Sequence, residues 1–315
     1  STMGGYKENA LVGTAPDASY YLFITEDDAS ENPVEESFWV EAAEEADRLG
    51  ADIITTSLGY FEYDNPNYSH MYSDMNGATN FISRGAEIAF SKGMIVVASA
   101  GNEGDELEKH IGAPADAMSV ITVGSVTASK MVSNFSSIGP SYDGRIKPDV
   151  MAQGSAAVVS DVSGNIVRIN GTSFSCPIMA GTIACLWQAF PDKTNQEIRQ
   201  LVLQSSDRYT SPNVQYGYGI PNFSLALNSG LDVESIEKTN FLVYPNPTKS
   251  TISFTLSKEI NVAIVTVYSI LGQKVIEKQI TDQTSIVSLQ SLDSGVYFYT
   301  LEANNFYRTG KIIKQ

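Results

Sequence analysis

The residue types and spacing that can do chemistry are concentrated in Asn170-Gly171-Thr172-Ser173-Phe174-Ser175-Cys176-Pro177, which runs directly into the apolar stretch 178–190. A glycine-flanked serine at the mouth of a long helix is a nucleophile-like arrangement. The glycine lets another backbone approach, and the helix start offers unpaired N–H groups and the positive end of the dipole to developing negative charge. Ser173 is therefore the candidate nucleophile, and helix N-capping is its plain structural reading. Ser99-Ala100-Gly101-Asn102-Glu103-Gly104 supplies an asparagine amide of the kind that holds an oxyanion. Ser57-Leu58-Gly59 is the third segment of interest.

These segments need elements to position them. Phe174, Cys176, Ile178, Met179, Ile183, Cys185, Leu186, Trp187 and Phe190 cover every side of a helical wheel, so the serine helix reads as a central helix buried on all faces. Tyr20–Ile24 reads as a strand, followed by an acidic loop at 26–31 and a helix opened by Pro33 and closed by Gly50. In that helix Phe38, Ala42, Ala46 and Leu49 form the apolar stripe, and Glu41, Glu44, Glu45 and Asp47 a solvated face. Strands at Asp52–Ser57, Met94–Ser99 and Ser119–Val126, a helix at Thr79–Lys92 and a strand pair at 158–160 and 166–169 continue the pattern. Apolar strands alternating with helices predict an α/β fold with a doubly wound parallel sheet. Loops at the carboxyl ends of such strands gather at one edge, so the three segments should meet. Thr194 and Glu197 form a capping box for a later helix.

The first domain is expected to close at residue 232, with a linker over 233–240. Residues 241–315 hold seven short β-rich runs at close spacing, which predict an all-β, Ig-like sandwich. The charge changes at the same boundary. The chain carries −16 overall, but residues 233–315 contain eight basic and seven acidic residues, leaving −17 on residues 1–232. Such acidity argues against nucleic acid and anionic membrane surfaces as partners. No run is apolar enough for a spanning helix. Cys176 and Cys185 lie nine residues apart in one helix, roughly 13 Å along its axis, and read as buried thiols and not a bridge.

With Lys147-Pro148-Asp149-Val150, these segments resemble the subtilisin-like serine peptidases, or subtilases. Gly171–Pro177 is similar to the family's nucleophile signature, Ala100–Gly104 to its oxyanion segment and Ser57–Gly59 to a substrate-binding wall, all in the family's order. The resemblance implies a secreted serine endopeptidase that cleaves peptide bonds through an acyl-enzyme at Ser173. It implies that the Asn102 side chain and the Ser173 N–H hold the oxyanion. Ser57, Leu58, Gly59, Ser99, Ala100, Gly101 and Thr172 would line the peptide or protein substrate.

The family's triad runs Asp, His, Ser along the chain. Its first two members precede the segment that Ala10–Pro16 resembles, and Ser1–Gly5 resembles the residues just after the family's His-Gly-Thr turn. The expectation is a truncated and nearly inert portion of an active enzyme. A non-catalytic surface-exposed binding protein on the same scaffold is the alternative. His70 and His110 lack the family's glycine-rich context and read as loop or surface histidines. Asp149 belongs to a motif that is structural in the family. Glu26, Asp27, Asp28 and Glu31 read as a solvated loop that lacks the alternating D-x-D-x-D-G pattern, so no cofactor is expected; binding of calcium, as in many subtilases, or a place beside the substrate cleft favouring basic side chains are the alternatives.

Tyr244–Thr248, Val267–Val275, Ser294–Tyr299 and Lys311–Lys314 resemble the type A carboxy-terminal sorting domain of the type IX secretion system. This implies engagement of that machinery through residues 241–315 and export across the outer membrane of a Gram-negative bacterium, with release or attachment at the surface. A glycan-binding sandwich is the other reading, and no aromatic platform supports it.

Overall fold

The computed structural model describes residues 1–27, 29–230, 241–256, 262–281, 284–303 and 306–315; Asp28 of the acidic loop and the 233–240 linker lie outside the described residues. Contacts divide the chain into two units, Ser1–Asp232 and Val233–Gln315.

In chain order the first unit has β1 (Tyr6–Lys7), β2 (Leu11–Val12), α1 (Val34–Leu49), β3 (Ile53–Thr56), α2 (Phe81–Ser91), β4 (Ile95–Ser99), β5 (Ile121–Val126) and β6 (Val150–Gln153). The hairpin β7 (Ala157–Ser160) and β8 (Ile166–Ile169) leads into α3 (Thr172–Ala189), then α4 (Asn195–Gln204) and α5 (Phe223–Gly230). Strands β3, β4, β5 and β6 form one parallel sheet in that order. Every residue of β4 and β5 is buried, as helices on both faces require. The two-residue period decides which face each side chain serves. Val96 and Ala98 pack with Trp39, Ala43, Ile82 and Ala86 of α1 and α2. Ile95 and Val97 pack with Met179, Ile183, Ile198, Val202 and Ala226 of α3, α4 and α5.

Three expectations shift. Tyr20–Ile24 is not a strand: it joins no ladder, and Leu22 and Ile24 are 92% and 95% exposed. Its composition suits a strand, but a strand needs a neighbour to complete its hydrogen bonds, and none among the described residues pairs with it. Helix α1 begins after Pro33 and ends on left-handed Gly50, yet its buried face is Glu36, Trp39, Ala43 and Ala46, while Phe38 is exposed. Trp39 sets this rotation, because its Nε1 donates to Thr56 Oγ1 at 3.2 Å and its ring fills the layer beneath the sheet. Cys176 is buried but Cys185 is exposed. Nine residues are two and a half helical turns, so the two thiols point to opposite sides of α3.

The second unit has β9 (Phe241–Tyr244), β10 (Thr251–Leu256), β11 (Ala263–Ser269), β12 (Lys274–Ile280), β13 (Thr284–Ser288), β14 (Gly295–Ala303) and β15 (Phe306–Lys314). They make two antiparallel sheets, β13-β10-β9 and β12-β11-β14-β15. Alternate residues of both, among them Ile252, Phe254, Val265, Val267 and Leu301, form one core. The rings of Phe254 and Tyr299 meet edge-on at 5.2 Å across it.

Replacing fully buried Ile183 by alanine is expected to destabilise the first unit by about 2–5 kcal/mol, and Phe254→Ala the second by about 3–5 kcal/mol. Both tryptophans lie in the first unit, so urea unfolding followed by tryptophan fluorescence should register the first change, and circular dichroism of the sheets the second.

Candidate active site

The parallel register pairs Thr56 with Ala98, so the segments that follow β3 and β4 leave the sheet side by side at its carboxyl edge. Helix α3 begins against that edge. Gly171 starts it with φ 152° and ψ 146°, a region that side chains with a Cβ avoid. Cys176 anchors the first turns, its Sγ lying 3.4 Å from the Thr56 carbonyl and 3.5 Å from that of Val97. Burial pushes that thiol up to about 11, which keeps it protonated and removes it as a competing nucleophile.

Pro177 lies four residues after Ser173 and has no N–H, so the Ser173 carbonyl loses its intrahelical donor. The Ser57 hydroxyl replaces it, donating at 3.1 Å. In return, Ser173 Oγ donates to the Ser57 carbonyl at 3.4 Å. The serine is thus held on the β3 side by a reciprocal pair. On the β4 side, Asn102 Oδ1 accepts from the Thr172 N–H at 2.9 Å and from Thr172 Oγ1 at 3.0 Å, and Thr172 Oγ1 also lies 3.2 Å from the Gly101 carbonyl. With Oδ1 turned to the helix, the Asn102 Nδ2 donors point away from it. The Ser173 N–H, second in the helix, has no intrahelical acceptor. Gly101 holds φ 106°, and a Cβ there would come within 2.6 Å of Ser137 Oγ.

Ser57, Gly59 and Asn102 are exposed, Leu58, Gly101 and Ser173 half-buried, and Ser99, Ala100 and Thr172 buried. All nine residues picked out for catalysis or substrate contact sit on the β3 and β4 exits or on the first turn of α3.

Neither histidine joins them. His70 Nε2 lies 2.8 Å from Glu36 Oε1, and its ring meets Tyr63 edge-on at 5.6 Å. His110 stacks on Tyr72 at 4.1 Å, with Nδ1 2.6 Å from Glu108. Among the described residues the Ser173 hydroxyl touches no titratable side chain.

Asp149 lies before β6, at the amino edge of the sheet. It accepts from the Thr122 N–H at 2.9 Å and pairs with Lys147 at 2.6 Å and Arg199 at 3.0 Å. Lys147 is 1% exposed and also donates to the Val120 carbonyl and Thr122 Oγ1, both at 2.9 Å. Burial draws its pKa down, with Asp149 opposing.

On α1, sequence reasoning missed two buried carboxylates. Glu36 Oε1 also accepts from Tyr63 Oη at 2.6 Å, and Oε2 accepts from the Ile82 N–H at 2.9 Å. Burial alone would raise its pKa, but the bonds from His70, Tyr63 and Ile82 outweigh it and hold the carboxyl below its ordinary value. Glu35, the other, accepts from the Asp27 and Asn32 N–H groups. Its carboxylate converges with those of Glu26 and Glu31, one oxygen of each lying within 4.8 Å of the others. Burial, then the charges of Glu35, Glu26 and Asp64, raises the Glu31 pKa, while Glu26, Asp27 and Glu31 themselves are exposed, as a solvated loop requires.

A parallel sheet covered by helices on both faces, with Ser173 at the start of one of them and Asn102 bonded to its first residue, defines an α/β fold with a candidate serine site. The subtilase family model matches residues 1–220, and the chain belongs to that family. The secretion system C-terminal sorting domain model matches residues 242–315. The second unit is accordingly a type IX sorting domain, which marks a protein secreted or attached at the outer surface of a Gram-negative bacterium. No helix among the described residues is long and apolar enough to cross a membrane.

Serine protease AprX of Bacillus subtilis is 33% identical over 194 residues, covering 54% of this chain and 41% of AprX. Subtilisin DY of Bacillus licheniformis is 29% identical over 217 residues, covering 69% of this chain and 70% of that protein. The chain spans 51% of subtilisin E of Bacillus subtilis, about half that relative's length. The self-cleaved protease domain of PatA has the same fold, with a TM-score of 0.59 at 24% identity over 72% of this chain and 80% of that one.

Replacing Asp149 by asparagine is expected to cost about 3–5 kcal/mol, because Lys147 and Arg199 lose their shared counter-ion. Denaturant melts of the two proteins measure the difference.

Proposed function

We propose that this chain carries the nucleophile and oxyanion half of a secreted serine endopeptidase. The carrying observation is the bonding of Asn102: Thr172 occupies its carbonyl oxygen, which leaves the amide donors uncommitted at the start of the helix that carries Ser173. In this reading Ser173 Oγ attacks the substrate carbonyl, and the oxygen that becomes negative is received by those donors and the Ser173 N–H. Such donors act most strongly where they are already fixed, and both are fixed here by Thr172 and by the helix start. Ser57–Gly59 and Ser99–Gly101 would take the acyl side of the peptide as an added strand. The reaction requires no cofactor, and the Glu26, Glu31 and Glu35 oxygens have no part in it.

The proton on Ser173 Oγ needs an acceptor, and none of the described residues supplies one. The reading therefore requires a histidine and an aspartate from outside residues 1–315, and the chain alone should be nearly inert. Supplying the upstream coding segment, fused or co-folded, is expected to restore peptide hydrolysis and phosphonate labelling at Ser173. In the restored enzyme Asn102→Ala should lower kcat by about 100- to 1,000-fold. A restored protein that folds but takes no label would instead favour a non-catalytic binding protein on this scaffold, the reading that the absence of a base near Ser173 supports.

Residues 241–315 would engage the type IX secretion machinery. Deleting them is expected to leave the protein in the periplasm, as fractionation and immunoblotting would show; normal release would overturn that role.

A further inference from the structure

Thr172 holds Asn102 by its side chain, while the backbone on either side of Asn102 is held by a different residue. Ser137, fully buried, donates its N–H to the Gly101 carbonyl at 3.0 Å. Its hydroxyl accepts from the Glu103 N–H at 3.1 Å and donates to Glu103 Oε2 at 2.7 Å. The amide and hydroxyl of one residue therefore bracket Asn102 from both directions along the chain. The Gly104 N–H extends the contact by donating to the Phe135 carbonyl at 2.8 Å.

Ser137 is itself tied to the sheet. Ser125 of β5 donates its N–H to Ser136 Oγ at 3.0 Å and accepts at its carbonyl from the Ser133 N–H at 2.9 Å, and the hydroxyls of Ser125 and Ser133 lie 2.7 Å apart. All three of these serines are buried. A run of hydrogen bonds thus leads from the interior of β5 through residues 133–137 to the exposed Asn102. Apolar packing has no direction and could not fix the segment in this way, whereas each of these bonds aims one donor at one acceptor.

We propose that Ser137 is a positioning residue for the reaction at Ser173: by holding Gly101 and Glu103 it fixes the backbone from which Asn102 presents its amide. The inference rests on the reading of Asn102 as the oxyanion donor, and it adds the group that keeps that donor in place. Such donors contribute most when they need not reorganise as charge develops, and an asparagine on an exposed strand exit would otherwise have backbone freedom to lose. Thr172 orients the side chain, and Ser137 removes the motion of the chain behind it. Ser137 bonds to neither Ser173 nor Thr172, so its influence passes through the segment it holds.

A double-mutant cycle in the enzyme restored by the upstream coding segment tests this. Ser137→Ala is expected to lower kcat about tenfold or more with KM little changed, as a small displacement of a reacting group does. In the Asn102→Ala background the same change should cost nothing further, because residues that act as a unit are not additive. An unchanged kcat in the single variant overturns the proposal, and so do losses that multiply in the double variant, which a merely structural serine would give. Should Ser137→Ala fail to fold by circular dichroism, Glu103→Ala removes the exposed partner of the same hydroxyl and is expected to lower kcat likewise; an unchanged kcat then overturns it. Hydrogen exchange on the full chain needs no activity: the Gly104 N–H, whose own acceptor the substitution leaves in place, should exchange about tenfold faster or more in Ser137→Ala. Unchanged exchange overturns the proposal even where the restored enzyme is active, whereas faster exchange in a restored protein without activity supports the hold on Asn102 and strikes the peptidase reading alone.

Discussion

The site depends on one carbonyl that has lost its helical partner. Pro177 cannot donate to Ser173 O, and a helix opening this way would fray unless another donor arrived. Ser57 provides it from the end of β3, and the same two residues exchange a second bond through the Ser173 hydroxyl. A defect in the helix thus becomes the joint that fixes its first turn to the sheet. Asn102 makes the corresponding joint to the end of β4 through Thr172. Both joints exist only because parallel strands end in register, so the sheet is what sets the geometry around Ser173.

A second constraint works at the opposite edge. Asp149, Lys147 and Arg199 are charged groups removed from water, and each is tolerable only while the others stay. Their placement where β5 and β6 begin ties the loops entering the sheet as firmly as the serine joints tie those leaving it. Glu36 does similar work on the other helical layer, joining α1, α2 and the loop that carries His70. In each case a polar group holds elements that apolar packing alone would leave free to slide.

Much of this was legible in the sequence wherever the signal was local. The unbroken apolar runs of β4 and β5, the capping box at Thr194 and Glu197, and the seven runs of the sandwich all appear where their patterns put them. The candidate site was legible by residue type and order. The features that escaped were non-local. Tyr20–Ile24 has strand composition, but pairing depends on a neighbour elsewhere in the chain. Glu36 looks like any acidic residue of a helix's first turn until partners 27, 34 and 46 residues away are in place. Strand β6, short and preceded by Pro148, gave no periodic signal at all. The Ser57–Ser173 exchange had one available clue, since a proline four residues after a candidate nucleophile always frees that residue's carbonyl.

The half-turn offset of the two cysteines on α3 has a practical meaning. One thiol faces water while the other is sealed against the β3 and β4 carbonyls, so a single helix carries both a reference group and a sensor. Reagent reaching Cys185 measures ordinary access, whereas reagent reaching Cys176 requires the serine helix to lift from the sheet. The ratio of the two rates is a clock for the opening of the platform that carries Ser173, read without any substrate.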